Sequence, residues 1–115
     1  MTAPVVDPAT FEQLQATAGA DFVRELIDTF LAEAPAMLRD LRDAYEVGDA
    51  ERFRRVAHSL KSNGNTFGAL QLGALARDLE LRGYAHVKSL DGTPIDALAD
   101  EYARVAQALT ELKRA

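Results

Sequence analysis

His58 stands in a run of residues whose types could do chemistry together: Arg54, His58, Lys61, Ser62 and Asn65. On a helical wheel that starts at Phe53, the apolar residues Phe53, Val56, Ala57, Leu60, Gly64 and Phe67 fall within about 60° of one another's mean direction. His58 falls at about 140°, Arg54 at about 100°, Asn65 at about 120°, Lys61 at about 80° and Ser62 at about 180°. The imidazole is therefore expected to face water, with cations and a small side chain around it. A neutral ring nitrogen can attack an activated phosphoryl group near neutral pH, and histidine is the side chain poised for that. Lys61, three residues on, lies on the neighbouring ridge and can reach the charge so gained, with Arg54 one turn below as a second support. Ser62, one turn above, leaves room for another protein to approach the ring. An exposed histidine among basic residues is also what an ordinary solvated helix face looks like, so the wheel alone leaves both readings open.

The elements that must position this cluster are helical. Apolar residues recur with helical period almost throughout, and no alternating β-branched run bounded by turn residues occurs. Asp7 is a good N-cap with Pro8 behind it, and a short first helix would bury Phe11, Leu14 and Ala18 before Gly19 breaks it. A second helix is expected from Asp21 to Val47, ending at Gly48, with Phe22, Leu26, Phe30, Met37, Leu41 and Ala44 on one broad side. Pro35 should bend or divide it. Its apolar arc also takes in Val23, Ile27, Leu31, Leu38 and Tyr45, wider than one neighbour can cover. Asp49 caps a third helix, Ala50 to Phe67, closed by Gly68. Its Gly64 costs roughly 1 kcal/mol in a helix interior, which points to close backbone packing or an early end. A fourth helix from Ala69 to Arg82 buries Leu72, Leu75, Ala76 and Leu79 and stops at Gly83; a loop runs from Tyr84 to Gly92. The last helix takes Thr93 as N-cap with Pro94 behind it, and Ile95, Leu98, Tyr102, Val105, Leu109 and Leu112 repeat as a bundle seam. The expected fold is all-α: an antiparallel four-helix bundle with a short additional N-terminal helix.

Composition bounds what such a bundle can do. With 115 residues, 48% hydrophobic and 27% charged, the chain supports one globular core, so a single domain over residues 1–115 is expected, its first few residues frayed. No repeat or flexible linker divides it, and a chain that begins at Met1 and ends soon after the last helix reads as free-standing. The absence of cysteine removes disulfides, thiol catalysis and thiolate metal sites. A net charge of −5 opposes general nucleic-acid binding. Nowhere do about 18 consecutive apolar residues occur, and no basic leader precedes an apolar run, so no membrane role is expected and the cytoplasm is the expected compartment. His86 could in principle join His58 or Asp91 at a metal, but no i+3 or i+4 histidine and no carboxylate cluster supports one, so no metal site is expected. Neither a convergent acid pair nor a Gly-rich phosphate loop is present, which speaks against an acid–base enzyme and against an autokinase.

The run from Ala57 to Ala69, Ala-His-Ser-Leu-Lys-Ser-Asn-Gly-Asn-Thr-Phe-Gly-Ala, resembles the signature of histidine-containing phosphotransfer domains. There a phosphorylatable histidine is followed by x-Leu-Lys, small residues and an apolar-Gly-Ala close. Phe30 to Pro35 resembles the second-helix segment of such domains, and Leu79-Glu80-Leu81-Arg82-Gly83 the end of their fourth helix. The chain departs at Ser62, where many members have glycine, and Asn63 follows where another small residue is usual. The resemblance implies a phosphorelay intermediate without its own ATP site or cofactor. It would carry the phosphoryl group on His58 between the aspartates of receiver domains in hybrid histidine kinases and response regulators. Lys61 would support the group, and the receiver would bring Mg²⁺. Ser62 and Asn65 would lie in the partner interface, and Ile27, Leu31 and Leu38 on the broad arc of the second helix would either form an exposed docking patch or be covered by the first helix. The competing expectation is a helical adaptor that binds signalling partners without using His58.

Overall fold

The computed structural model describes residues 4–114; the expected fraying of the first residues falls largely outside them. Among the described residues there are five helices and no strand: α1 (Pro8–Ala18), α2 (Ala20–Val47), α3 (Ala50–Phe67), α4 (Leu70–Ser89) and α5 (Thr93–Arg114). Helices α2, α3, α4 and α5 form a ring in which each packs on two others, and α1 lies across α2 and α3. The all-α bundle with an extra N-terminal helix is what the periodicity predicts.

Local signals set most helix ends. Asp7 accepts from the backbone N–H of Thr10, and Asp49 from that of Arg52, so both carboxylates fill orphan donors at helix N-termini. Gly48 and Gly68 stand in the left-handed region, at φ 77° and 83°, and close α2 and α3. Gly68 has a further task. Its carbonyl accepts the Asp7 N–H at 2.8 Å, and a Cβ there would lie 2.9 Å from Thr10 Cβ and 3.1 Å from the Asp7 carbonyl oxygen. The turn between α3 and α4 is thus welded to the start of α1. Gly68→Ala is expected to cost about 2–3 kcal/mol, from left-handed strain and crowding against backbone; a urea midpoint unchanged from the parent protein would show the strain to be absent.

Three elements depart from expectation. Of the two expectations for Pro35, division is not realised, and α2 runs unbroken through it. The buried stripe Val23, Ile27, Phe30, Ala34, Leu41 and Ala44 continues on both sides of the proline, so packing outweighs the missing hydrogen bond. Phe22, placed on that buried side, is half exposed, because the core-facing line passes one residue along, through Val23. Gly83 does break the helical path, at φ 80° and ψ 178°, but the helix resumes and reaches Ser89 where a loop was expected. Tyr84 packs against Tyr45 and Phe53, with ring centroids 5.9 and 6.4 Å apart, and Val87 is wholly buried. These contacts re-form helix beyond a residue that, taken locally, ends it. Thr93 belongs to α5 itself, and its hydroxyl donates to the Leu90 carbonyl instead of capping the helix.

Candidate functional site

The position of α3 against α4 determines the site. Gly64 lies in close contact with the start of α4: a Cβ there would stand 3.3 Å from the Gly73 nitrogen and 3.4 Å from the Ala69 carbonyl oxygen. Of the two expectations for Gly64, close packing is the one realised. Gly73 on the facing helix is needed for a related reason, since the Asn65 side chain occupies the space its Cβ would take, with Oδ1 only 2.0 Å from that point. Asn65 is thus exposed yet laid on the α4 backbone, two turns from His58.

This close approach brings a carboxylate of α4 under the histidine. His58 is exposed, and its Nδ1 lies 2.6 Å from Oε2 of Glu80. The other oxygen of the same carboxylate, Oε1, lies 2.7 Å from Lys61 Nζ. Glu80 is largely covered, its side chain 13% exposed against 55% for His58. The ammonium reaches Oε1 off the hydrogen-bonding direction, so this buried oxygen has an ion-pair partner but no aligned hydrogen bond. Lys61 first, and then His58, hold the Glu80 carboxyl below its ordinary pKa, against the opposing pull of burial. An ionised carboxylate only accepts, so the proton between Glu80 and His58 belongs to Nδ1. That fixes the tautomer of the neutral ring, in which Nε2 carries the lone pair that a nucleophilic role needs.

Sequence reasoning assigned no role to Glu80. Its signal was there: taking Leu72 as zero, Glu80 falls at about 80°, at the edge of the α4 stripe, as Lys61 does on α3. Opposite charges at matching edges of adjacent helices invite pairing, but only the helix–helix register brings them together. The other predicted residues scatter around this centre. Arg54 is exposed and has no ion-pair partner among the described residues. Ser62 is exposed, its carbonyl accepting the Thr66 hydroxyl at 2.9 Å.

Ile27 drops out of the expected docking patch on α2. Ile27 is only 1% exposed, within the core, and Leu31 is partly buried against the same core. Leu38 lines a groove with Arg39, Arg42, Ile95 and Ala99, between α2 and α5. A shallow groove of about 330 Å³ between α2 and α3 is lined instead by Met37, Asp40, Arg52, Arg55, Val56 and Ser59, the last adjacent to His58 in sequence. Among the described residues no three His, Asp or Glu side chains converge as a metal site, and no helix is long and apolar enough to cross a membrane.

The Hpt domain family matches residues 25–112, a span that contains His58, Lys61 and Glu80. The chain belongs to the Hpt family. Among solved structures, this Hpt domain resembles the crystal structure of histidine-containing phosphotransfer protein B (HptB) from Pseudomonas aeruginosa PAO1. The TM-score is 0.86 and the identity 27%, over 98% of this chain and 97% of that one. No curated protein matches by sequence. Hpt domains are phosphocarriers of two-component phosphorelays, and phosphotransfer is the role of this chain.

Proposed function

We propose that the chain carries a phosphoryl group on Nε2 of His58, receiving it from the phosphoaspartate of one receiver domain and delivering it to the aspartate of another. The observation that supports this reading is the hydrogen bond from His58 Nδ1 to Glu80. It orients the ring, holds the proton on Nδ1 and leaves Nε2 to attack. As the Nε2–P bond forms, the P–O bond of the phosphoaspartate breaks and the receiver's carboxylate leaves with the electron pair. Nδ1 keeps its proton in both directions, so neither needs a proton from water. The ring is exposed, as a carrier that reacts inside another protein's pocket requires. Receivers bring the acidic pocket and Mg²⁺; this chain offers an aligned imidazole and nearby cations, with Ser62 and Asn65 on the approached face. The protein acts without an ATP site or autokinase activity of its own and works in the cytoplasm.

The test is incubation with ATP alone and then with a phosphorylated receiver, with mass spectrometry for an acid-labile adduct on His58. Label that appears only with the receiver is the expected result. No label from a broad panel of receivers and kinases, on folded protein, would favour the non-phosphorylated adaptor. Lys61→Ala should slow transfer by about tenfold to a hundredfold, less than the loss at an enclosed oxyanion donor because the site is open to water. Unchanged quench-flow kinetics would remove Lys61 from the supporting role.

A further inference from the structure

One lysine faces two anions in the phosphotransfer cycle. In the unphosphorylated state Lys61 is bound to Glu80 at 2.7 Å, in a setting where both side chains are mostly covered, 24% and 13% exposed. Phosphorylation of His58 sets a second anion, of charge near −2, on the far side of the ring from Glu80. Lys61 is on the same helix three residues on, within reach of the phosphoryl group, so the carboxylate and the phosphoryl group draw on one ammonium. Its contact with Oε1 is a charge pair without an aligned hydrogen bond.

We infer that Glu80 raises the transfer potential of the phosphorylated histidine by competing for Lys61. Glu80 is here a positioning residue that acts through the lysine, and the inference rests on His58 being the carrier. The carboxylate favours the unphosphorylated state, because that state alone keeps the ion pair intact. Breaking the pair is part of loading the carrier, and re-forming it helps drive unloading. The carrier is thereby biased toward passing the group on and against storing it. No extra reactant enters: the Nε2–P bond breaks with its electron pair returning to Nε2, the receiver's carboxylate oxygen takes the phosphorus, and the Nδ1 proton stays in place.

Glu80→Gln separates this from ring orientation, since the amide oxygen still accepts from Nδ1 while the charge that holds Lys61 is gone. The measurement is the equilibrium ratio of phosphorylated carrier to phosphorylated receiver, with the full-length chain and a single receiver. It is made for the parent protein, Glu80→Gln, Lys61→Met and the double variant, each checked for helicity; methionine retains most of the lysine stem. Glu80→Gln should shift the ratio toward the carrier on the order of tenfold, the size expected if an interaction of about 1.4 kcal/mol is lost. In the Lys61→Met background the same change should shift it less than about threefold. No shift, a shift toward the receiver, or an equal shift in both backgrounds overturns the inference. Those outcomes leave His58 labelled and the carrier reading intact, whereas parent protein that takes no label overturns both.

Discussion

His58→Gln abolishes phosphoryl uptake while leaving the bundle as stable as the parent protein. Glutamine offers no ring nitrogen to attack phosphorus, so loss of transfer should be complete and not merely a slower rate. The fold should hardly notice, because His58 is exposed and its side chain is held, among the described residues, by the hydrogen bond to Glu80. An exposed substitution of this kind seldom costs more than about 0.5 kcal/mol. Glutamine can moreover turn its amide N–H to the same carboxylate. Intact-mass analysis after incubation with a phosphorylated receiver, beside a urea melt, checks both halves. A variant that still accepts acid-labile phosphate would place the carrier elsewhere in the chain. A variant that loses uptake only because it unfolds would make His58 a structural residue.

The second large effect is on stability. Phe53 is wholly buried on the inner face of α3 and meets the edge of Tyr84, 6.4 Å between ring centroids. Phe53→Ala should cost about 3–5 kcal/mol, the usual range for deleting a core aromatic ring. That is a large part of the roughly 5–15 kcal/mol by which a domain is stable. The cavity would open beside the stretch of α4 that resumes after Gly83, which Tyr84 and Val87 hold in place. Hydrogen exchange should therefore quicken first in residues 84–89, before the whole molecule loosens. A denaturation midpoint within about 1 kcal/mol of the parent would mean that the neighbouring rings close over the gap, and the account of why α4 continues past Gly83 would fail with it.

The reach of local signals differs from element to element. Asp7, Asp49, Gly48 and Gly68 act through backbone groups within a few residues, so helix ends that depend on them were legible. Pro35 and Gly83 are equally strong local signals, yet neither ended its helix, since side chains distant in sequence packed across both. The width of the α2 arc was legible as well, but which part of it stays wet was not. Ile27 and Phe22 lie on the same broad apolar side, and the placement of α2 in the bundle buried the first and exposed the second.

The candidate site divides along the same line. That His58 faces water with Lys61 beside it follows from the periodicity of one helix, because residues on a helix have directions fixed by its own geometry. The sequence by itself therefore determined the all-α fold, the exposed imidazole and the signature around it. Only the tertiary structure brought Glu80, 22 residues away, to within 2.6 Å of His58 and 2.7 Å of Lys61. The physical reason is that pairing between helices depends on how closely and in what register they pack. Here Gly64 lets α3 lie against the α4 backbone and Gly73 leaves room for the Asn65 side chain, and in that packing a carboxylate of one helix lies beneath the histidine of the other.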